Sequence, residues 1–304
     1  MASGNAPLRI FPTVRLLLPT LAKAERKAAE FLLEHRADIR DLNLHEFAEQ
    51  SGCSQASIVR LCKTIGLDGF KQLKSEIIHQ ADDDGESEDY FGEAPASGED
   101  GGYRMADSLR EVFGLSVRTL QDTFALYTDQ YDKALQAILG ARQLAFFSIG
   151  NAAMPCQYAY MMFRRIGYAC SANTDPDLQM IDASNLAPGD VAIAVSHTGQ
   201  TRNVVAAMEY AHGRGATTVC ITKHVKSPLT KVCDIQLFTA TLDPSIHMEV
   251  VARRTSEYAI LEAFYHAVRT LRPETEDLVR ENSMAMRANK LPGFGRHGRS
   301  EEPL

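Results

Sequence analysis

The stretch DVAIAVSHTGQTRNVVAAMEYAHGRGATTVCIT, Asp190 to Thr222, decides the architecture of the larger part of the chain. It opens on an apolar run without polar alternation, DVAIAVS, and turns through a short polar loop. Val204, Val205, Met208 and Ala211 then follow at helical spacing, before a second apolar run, ATTVCIT. Runs of this kind are strands buried on both faces, and a helix between two of them is the crossover that a parallel pair requires. The pattern repeats outward, with QLAFFSIG (Gln143 to Gly150) upstream and DIQLFT (Asp234 to Thr239) downstream. A long helical stretch from Arg104 to about Leu139 precedes the first strand, and Ile260, Leu261, Phe264 and Val268 mark a closing helix. The reading is an α/β domain with a doubly wound parallel sheet over residues 103–290.

In such sheets ligands bind beyond the carboxyl ends of the strands, beside helix N-termini whose free amides favour anions. Ser196-His197-Thr198-Gly199-Gln200-Thr201 stands at that position. Three hydroxyls, a glycine and several amides at a helix start make a phosphate cradle that needs neither lysine nor metal. The same residues also suit a plain helix cap, with Thr198 or Thr201 satisfying amides and nothing bound. A second turn, Ile149-Gly150-Asn151-Ala152-Ala153, follows the first strand, with Gly150 and Asn151 at its tip. No GxGxxG is present, which argues against a dinucleotide, and no Cys/His cluster has zinc spacing, so no cofactor and no metal are expected. His197 could contact a sugar hydroxyl or move a proton, but without an assignable carboxylate partner it reads as a spectator. Glu249, Glu257 and Glu262 are expected at a surface or interface, and Asp175-Pro176-Asp177 as a helix start.

The first eighty residues are helical in pattern. Ala28, Phe31, Leu32 and His35 share one face, and Asn43 with Glu46 has capping-box spacing for a helix from Leu44 to about Gln50. Ser51-Gly52-Cys53 interrupts it, and Ser54 is an N-cap for a third helix, Gln55 to about Ile65. Two short helices joined through a glycine turn form a helix-turn-helix. On the third helix Ile58, Leu61, Cys62 and Ile65 fall on one side, while Ala56, Arg60 and Lys63, flanked by Ser57 and Thr64, fall on the other. A small and basic free face suits the major groove, where arginine can donate twice to a guanine edge. An ordinary three-helix bundle with a solvated basic face fits the same angles.

The net charge of −7 hides how the charges are distributed. Residues 1–80 hold eleven Lys/Arg and nine Asp/Glu, residues 81–102 hold nine acids and no base, and the remainder balances. The stretch ADDDGESEDYFGEAPASGEDGG (Ala81 to Gly102) is too polar to offset its ordering entropy and reads as a flexible acidic linker. Leu291 to Leu304, glycine- and proline-containing and aperiodic, reads as a disordered tail. No apolar run approaches the ~18 residues of a membrane helix, and no secretory signal opens the chain, so the cytoplasm is the expected location. The six cysteines are expected as reduced thiols.

Taken in order, AERKAAEFLLEH, LHEFAEQSGCSQASIVRLCKTIGLDGFKQLK and the Ser196–Thr201 segment in its strand-loop-helix-strand frame resemble the RpiR-type bacterial transcription regulators. In that family a winged-type helix-turn-helix domain precedes a sugar isomerase (SIS) domain. The resemblance implies an all-α DNA-binding domain at 1–80 and a SIS-like phosphosugar-binding domain at 103–290. Ser54, Gln55, Ser57, Arg60 and Lys63 would face operator DNA. Gly150, Asn151, Ser196, His197, Thr198, Gly199 and Thr201 would hold the phosphosugar. Ala152 stands where relatives carry a Ser or Thr, Gln200 where a Glu is frequent, and Ala22 and Lys23 where a capping Ser/Thr and Pro are common. The implied function is a non-enzymatic regulator, a homodimer or homotetramer, whose operator affinity responds to a phosphosugar. A phosphosugar isomerase with a helical accessory module, using His197 and Glu257, and a purely structural oligomeric binder are the competing readings.

Overall fold

A computed structural model describes residues 10–35, 38–84, 105–240 and 251–287. The tail at 291–304, most of the acidic stretch 81–102 and Glu249 lie outside the described residues.

The N-terminal unit is built from α1 (Ile10–Leu17), α2 (Lys23–Glu34), α3 (Leu44–Ser51), α4 (Gln55–Thr64) and α5 (Phe70–Asp84). Helix α2 starts at Ala22 without a side-chain cap, so its position is set by packing of Ala28, Ala29 and Leu32 rather than by local chemistry. Helix α3 opens on the capping box: Asn43 Oδ1 accepts from the Glu46 amide at 3.0 Å and the Asn43 amide donates to Glu46 Oε2 at 2.7 Å. It closes on Gly52, whose φ of +61° is the left-handed conformation that a side chain would penalise. Ser54 Oγ then accepts from the Ser57 amide to start α4. Phe47 is the hub of this core, edge-on to Phe31 at 5.1 Å and to Phe70 at 5.6 Å. The winged form that the resemblance implies is not observed, since the described residues of this unit hold helices and no strand. Helix α5 also runs to Asp84, into the start of the acidic stretch; extending a formed helix by one turn is cheap compared with nucleating one.

The second unit contains α6 (Met105–Phe124), α7 (Asp129–Gly140), β1 (Gln143–Phe147), α8 (Ala153–Arg165), β2 (Ala169–Ser171), α9 (Pro176–Asn185), β3 (Val191–Val195), α10 (Arg202–Gly213), β4 (Thr217–Thr222), α11 (Pro228–Val232), β5 (Ile235–Phe238), α12 (Val251–Leu271) and α13 (Thr275–Arg287). The single helix expected from Arg104 to Leu139 is two. Helix α6 ends in a tightened turn, Leu126 N–H to Thr123 O, and α7 begins afresh with Asp129 and Asp132, acids that favour a helix start.

All five strands are parallel, in the order β2-β1-β3-β4-β5. Side chains alternate across the sheet. Leu144, Phe146, Ile193, Val195, Val219 and Ile221 pack beneath α7, α8 and α12, while Ala145, Phe147, Ala192, Ala194 and Cys220 face α9, α10 and α11. Small residues on the second face let its helices lie close. At the amino edge Asp190, fully buried, accepts from Arg142 Nε and Nη2 at 2.9 and 2.6 Å and from Gln143 Nε2 at 3.0 Å. Burial alone would raise its pKa, but these donors hold it below the usual carboxylate range.

Candidate functional site

With this strand order β2 is laid down on one side of β1 and β3 on the other, so the crevice lies between the carboxyl ends of β1 and β3, where open α/β sheets bind ligands. Both turns singled out from the sequence emerge there. After β3 the Ser196 amide still donates to Ile221 O, and then the loop tightens: Gly199 N–H donates to Ser196 O at 3.0 Å, with φ of +62° at Gly199. The loop is pinned from behind. His197 O accepts from the Lys223 amide at 3.1 Å and from Thr222 Oγ1 at 3.2 Å, and Gly199 O accepts from the Leu229 amide at 3.0 Å. A Cβ on Gly199 would stand 2.3 Å from Ser227 Oγ, so the position needs glycine for space as well as for conformation. Ser196 Oγ and Thr201 Oγ1 share a hydrogen bond of 3.2 Å across the loop. None of the described residues accepts from the amides of Thr198, Gln200, Thr201, Arg202 or Asn203, and α10 starts without a side-chain cap. The plain-cap alternative, in which Thr201 satisfies the helix start, does not hold.

The other groups around this loop come from three elements. Lys223 and His224 follow β4, and Arg253, Arg254 and Glu257 lie on the first turns of α12. Burial, joined by the charges of Lys223, Arg253, Arg254 and His224, pushes the His197 imidazole down to about 3. It is therefore neutral, and both ring nitrogens are buried without a partner. Burial and then Arg253 lower Lys223 as well. Glu257, expected at a surface or interface, is 1% exposed, and burial pushes its carboxyl up to about 7 although Arg254 donates to it. Cys156 on α8 lies against the same group. Its thiol is raised to about 12 by burial, and it contacts Ser148 at the end of β1. Gln179 on α9, also buried, ties Ser148 O and Asn173 O with its amide at 2.8 Å each and leaves Oε1 without a partner. Gly150, with φ of +65°, and Asn151 are exposed at the rim of this crevice. Among the described residues no cluster of His, Cys, Asp and Glu could hold a metal ion. The chemistry gathered here is of the kind that suits an anion: loop amides without an acceptor among the described residues, nearby cations, and a neutral imidazole able to donate or accept.

Lys223, Arg253, Arg254 and Glu257 were not read from the sequence as one cluster. Lys223 was legible as the residue leaving β4 at its carboxyl end. The Arg253-Arg254 pair was not, because only the packing of α12 shows which side it presents.

In the N-terminal unit Ser54, Gln55, Arg60 and Lys63 are exposed along α4, together with Ala56 and Thr64. Ser57 is not: it is 3% exposed, its hydroxyl 2.8 Å from Ser54 Oγ and accepting from Arg60 Nη2 at 3.0 Å. Its place one turn after Ser54 turns it back onto the cap rather than outward, which corrects its assignment to the free face.

Residues 10–83 match the model of the helix-turn-helix domain of the rpiR family, and residues 137–267 match that of the SIS domain. The chain belongs to the RpiR-type regulators. It is 28% identical over 271 residues to the HTH-type transcriptional regulator RpiR of Escherichia coli K12, covering 88% of each chain. An uncharacterised HTH-type transcriptional regulator of Caldanaerobacter subterraneus subsp. tengcongensis is 28% identical over 261 residues, 84% of this chain and 89% of that one. Among solved structures, Vibrio vulnificus NanR complexed with ManNAc-6P superposes with a TM-score of 0.58 at 21% identity, over 92% of this chain and 99% of that one. The helical N-terminal unit and the parallel-sheet SIS domain read from the sequence are thus both present in this regulator. No helix among its described residues is long and apolar enough to cross a membrane.

Proposed function

We propose that this regulator binds operator DNA through α4 and that a phosphosugar in the β1/β3 crevice sets its operator affinity. One observation carries the effector half: a half-buried, neutral His197 whose two ring nitrogens are buried without a partner, on a loop whose amides have no acceptor among the described residues and close to the Lys223, Arg253 and Arg254 cations. A phosphate on the amides of the Ser196–Thr201 loop would balance the cations, and sugar hydroxyls would satisfy the imidazole. Gly150 and Asn151 would close over the sugar from β1, with Ser196, His197, Thr198, Gly199 and Thr201 forming the phosphate side. The bound ManNAc-6P of the NanR structure is the same class of compound.

Ser54, Gln55, Arg60 and Lys63 would contact the DNA. A single recognition helix reads one half-site, so a homodimer or homotetramer is required, with half-sites about 34 Å apart. Residues 81–102 would act as an acidic spacer between the two domains and 291–304 as a tail. The protein would work in the cytoplasm, without a cofactor and not as an enzyme. One feature favours a second reading. A carboxylate near 7, as at Glu257, suits a general base for phosphosugar isomerisation.

Fluorescence anisotropy of a labelled duplex from the gene's own upstream region tests both. The titration is run at fixed salt, against random competitor duplex, with and without a panel of phosphosugars. Competitor-resistant binding shifted by one phosphosugar is the expected result. No specific binding, together with turnover of a phosphosugar in an isomerase assay, would favour the enzyme.

A further inference from the structure

Arg60 does not project freely from the recognition helix. Its Nη2 donates to Ser57 Oγ at 3.0 Å, and its Nε lies 3.6 Å from Glu25 Oε1. Ser57 is itself fixed by the Ser54 hydroxyl at 2.8 Å. Glu25 belongs to α2, 35 residues earlier in the chain, and its side chain is 16% exposed against 59% for Arg60. The first turns of α2 are tied to the same module at two further points: Lys27 Nζ donates to Gly52 O at 3.1 Å, and the Cys53 thiol contacts Ala24 O at 3.7 Å. Helix α2 therefore does more than bury its apolar face against α4.

A carboxylate beside a DNA-reading arginine has an electrostatic cost, because it repels phosphates and weakens attraction to any duplex. Its benefit is geometric. Guanidinium is planar with five N–H donors, and an ion pair at Nε together with a hydrogen bond from Nη2 restrains the plane while the hydrogens of Nη1 and the second hydrogen of Nη2 are left to donate. An arginine oriented in this way loses less freedom on donating twice to guanine O6 and N7.

We propose that Glu25, with Ser57, is the positioning residue that holds Arg60 for guanine readout, trading general DNA affinity for sequence discrimination. The inference rests on the reading of α4 as the operator-contacting helix. It assigns a role to a residue outside the helix-turn-helix and predicts a guanine in each half-site.

The test begins with selection of a consensus duplex from a random-sequence library by the wild-type protein. Affinities for that duplex and for a random duplex of equal length are then measured for wild type, Glu25→Gln, Arg60→Ala and the double variant. Glu25→Gln should weaken the consensus complex by roughly tenfold. It should also strengthen the random complex, and the loss should concentrate at the guanine position when each base pair is substituted in turn. In the Arg60→Ala background the same change should leave discrimination unaltered. Glu25→Asp should restore part of it. If Glu25→Gln lowers the melting temperature, Ser57→Ala serves as the second variant and should relax the same base position.

An unchanged consensus-to-random ratio, or an equal loss with and without Arg60, would overturn the proposal. A wild-type protein that enriches no sequence would instead overturn the reading on which it rests, and the inference with it.

Discussion

Replacing Glu257 by Gln keeps the shape of the side chain and removes its titration. Burial raises the Glu257 carboxyl from 4.5 to about 7, against the opposing pull of Arg254 and Arg253. Between those two values the folded state holds a proton that the unfolded chain has released, so stability falls as pH rises through this window. At about 1.4 kcal/mol per pH unit the loss amounts to about 3 kcal/mol once pH exceeds 7. His197 acts in the opposite sense. Its imidazole is lowered from 6.5 to about 3, so its contribution is lost as pH falls below 6.5 and is fully present above it. The two effects offset each other between pH 4.5 and 6.5 in the wild type, and only the difference between variant and wild type isolates Glu257. Urea unfolding of ligand-free protein at pH 4.5, 6, 7 and 8 measures that difference. Glu257→Gln should be close to wild type at pH 4.5 and more stable by about 3 kcal/mol at pH 8, with the gain accumulating between those values. A gap between the two proteins that does not change with pH would refute the argument, because it would place the carboxyl in contact with water or fully compensated by Arg254.

Other outcomes follow from single contacts. Arg60→Ala should cost about 1–3 kcal/mol of specific operator binding and leave phosphosugar-induced thermal shifts intact; an unaltered operator affinity would remove Arg60 from the interface. Ser196→Ala combined with Thr198→Val should abolish the phosphosugar response in the anisotropy assay while DNA binding without ligand persists. A surviving response would place the phosphate elsewhere. Gly199→Ala forces a Cβ to within 2.3 Å of Ser227 Oγ at a φ of +62°, so it should lower the melting temperature and weaken phosphosugar binding together. Pairing it with Ser227→Ala removes the hydroxyl but leaves the Cβ of residue 227 at 2.7 Å and the backbone strain in place, so it should recover only a small part of both.

Patterns that depend on near neighbours were readable in the sequence. The Asn43–Glu46 box, the Ser54 cap, the Asp175 cap and four of the five strands stand where periodicity and capping chemistry put them. What escaped was set by distant contacts. β2 is three residues long at the sheet edge, too short to carry a periodicity, and it exists because Leu144 and Ala145 of β1 offer it partners. The break between α6 and α7 was marked only by Thr128-Asp129, a weak signal inside a long helical pattern. At the crevice the Ser196–Thr201 loop was legible because a glycine and three hydroxyls at a strand end are chemically conspicuous. The burial of Glu257 was not, since a glutamate on a helix is exposed far more often than buried. Ser57 failed for a related reason: helical angle alone placed it at the margin of the free face, and its bond to Ser54 turned it inward.

The two edges of the sheet divide the labour of the SIS domain. At the amino edge, Asp190 locks β3 to Arg142 and Gln143, which flank the start of β1, and Asp234 holds Thr218 of β4 through its backbone amide and hydroxyl. At the carboxyl edge stand loops whose side chains face the crevice. Variation at Gly150, Asn151, Thr198 or Lys223 therefore touches none of the clamps that hold the strands in register. Such a separation makes the domain evolvable: sensing of one small anion can drift toward another while the scaffold beneath keeps its stability, and a designer seeking a new effector has the same latitude.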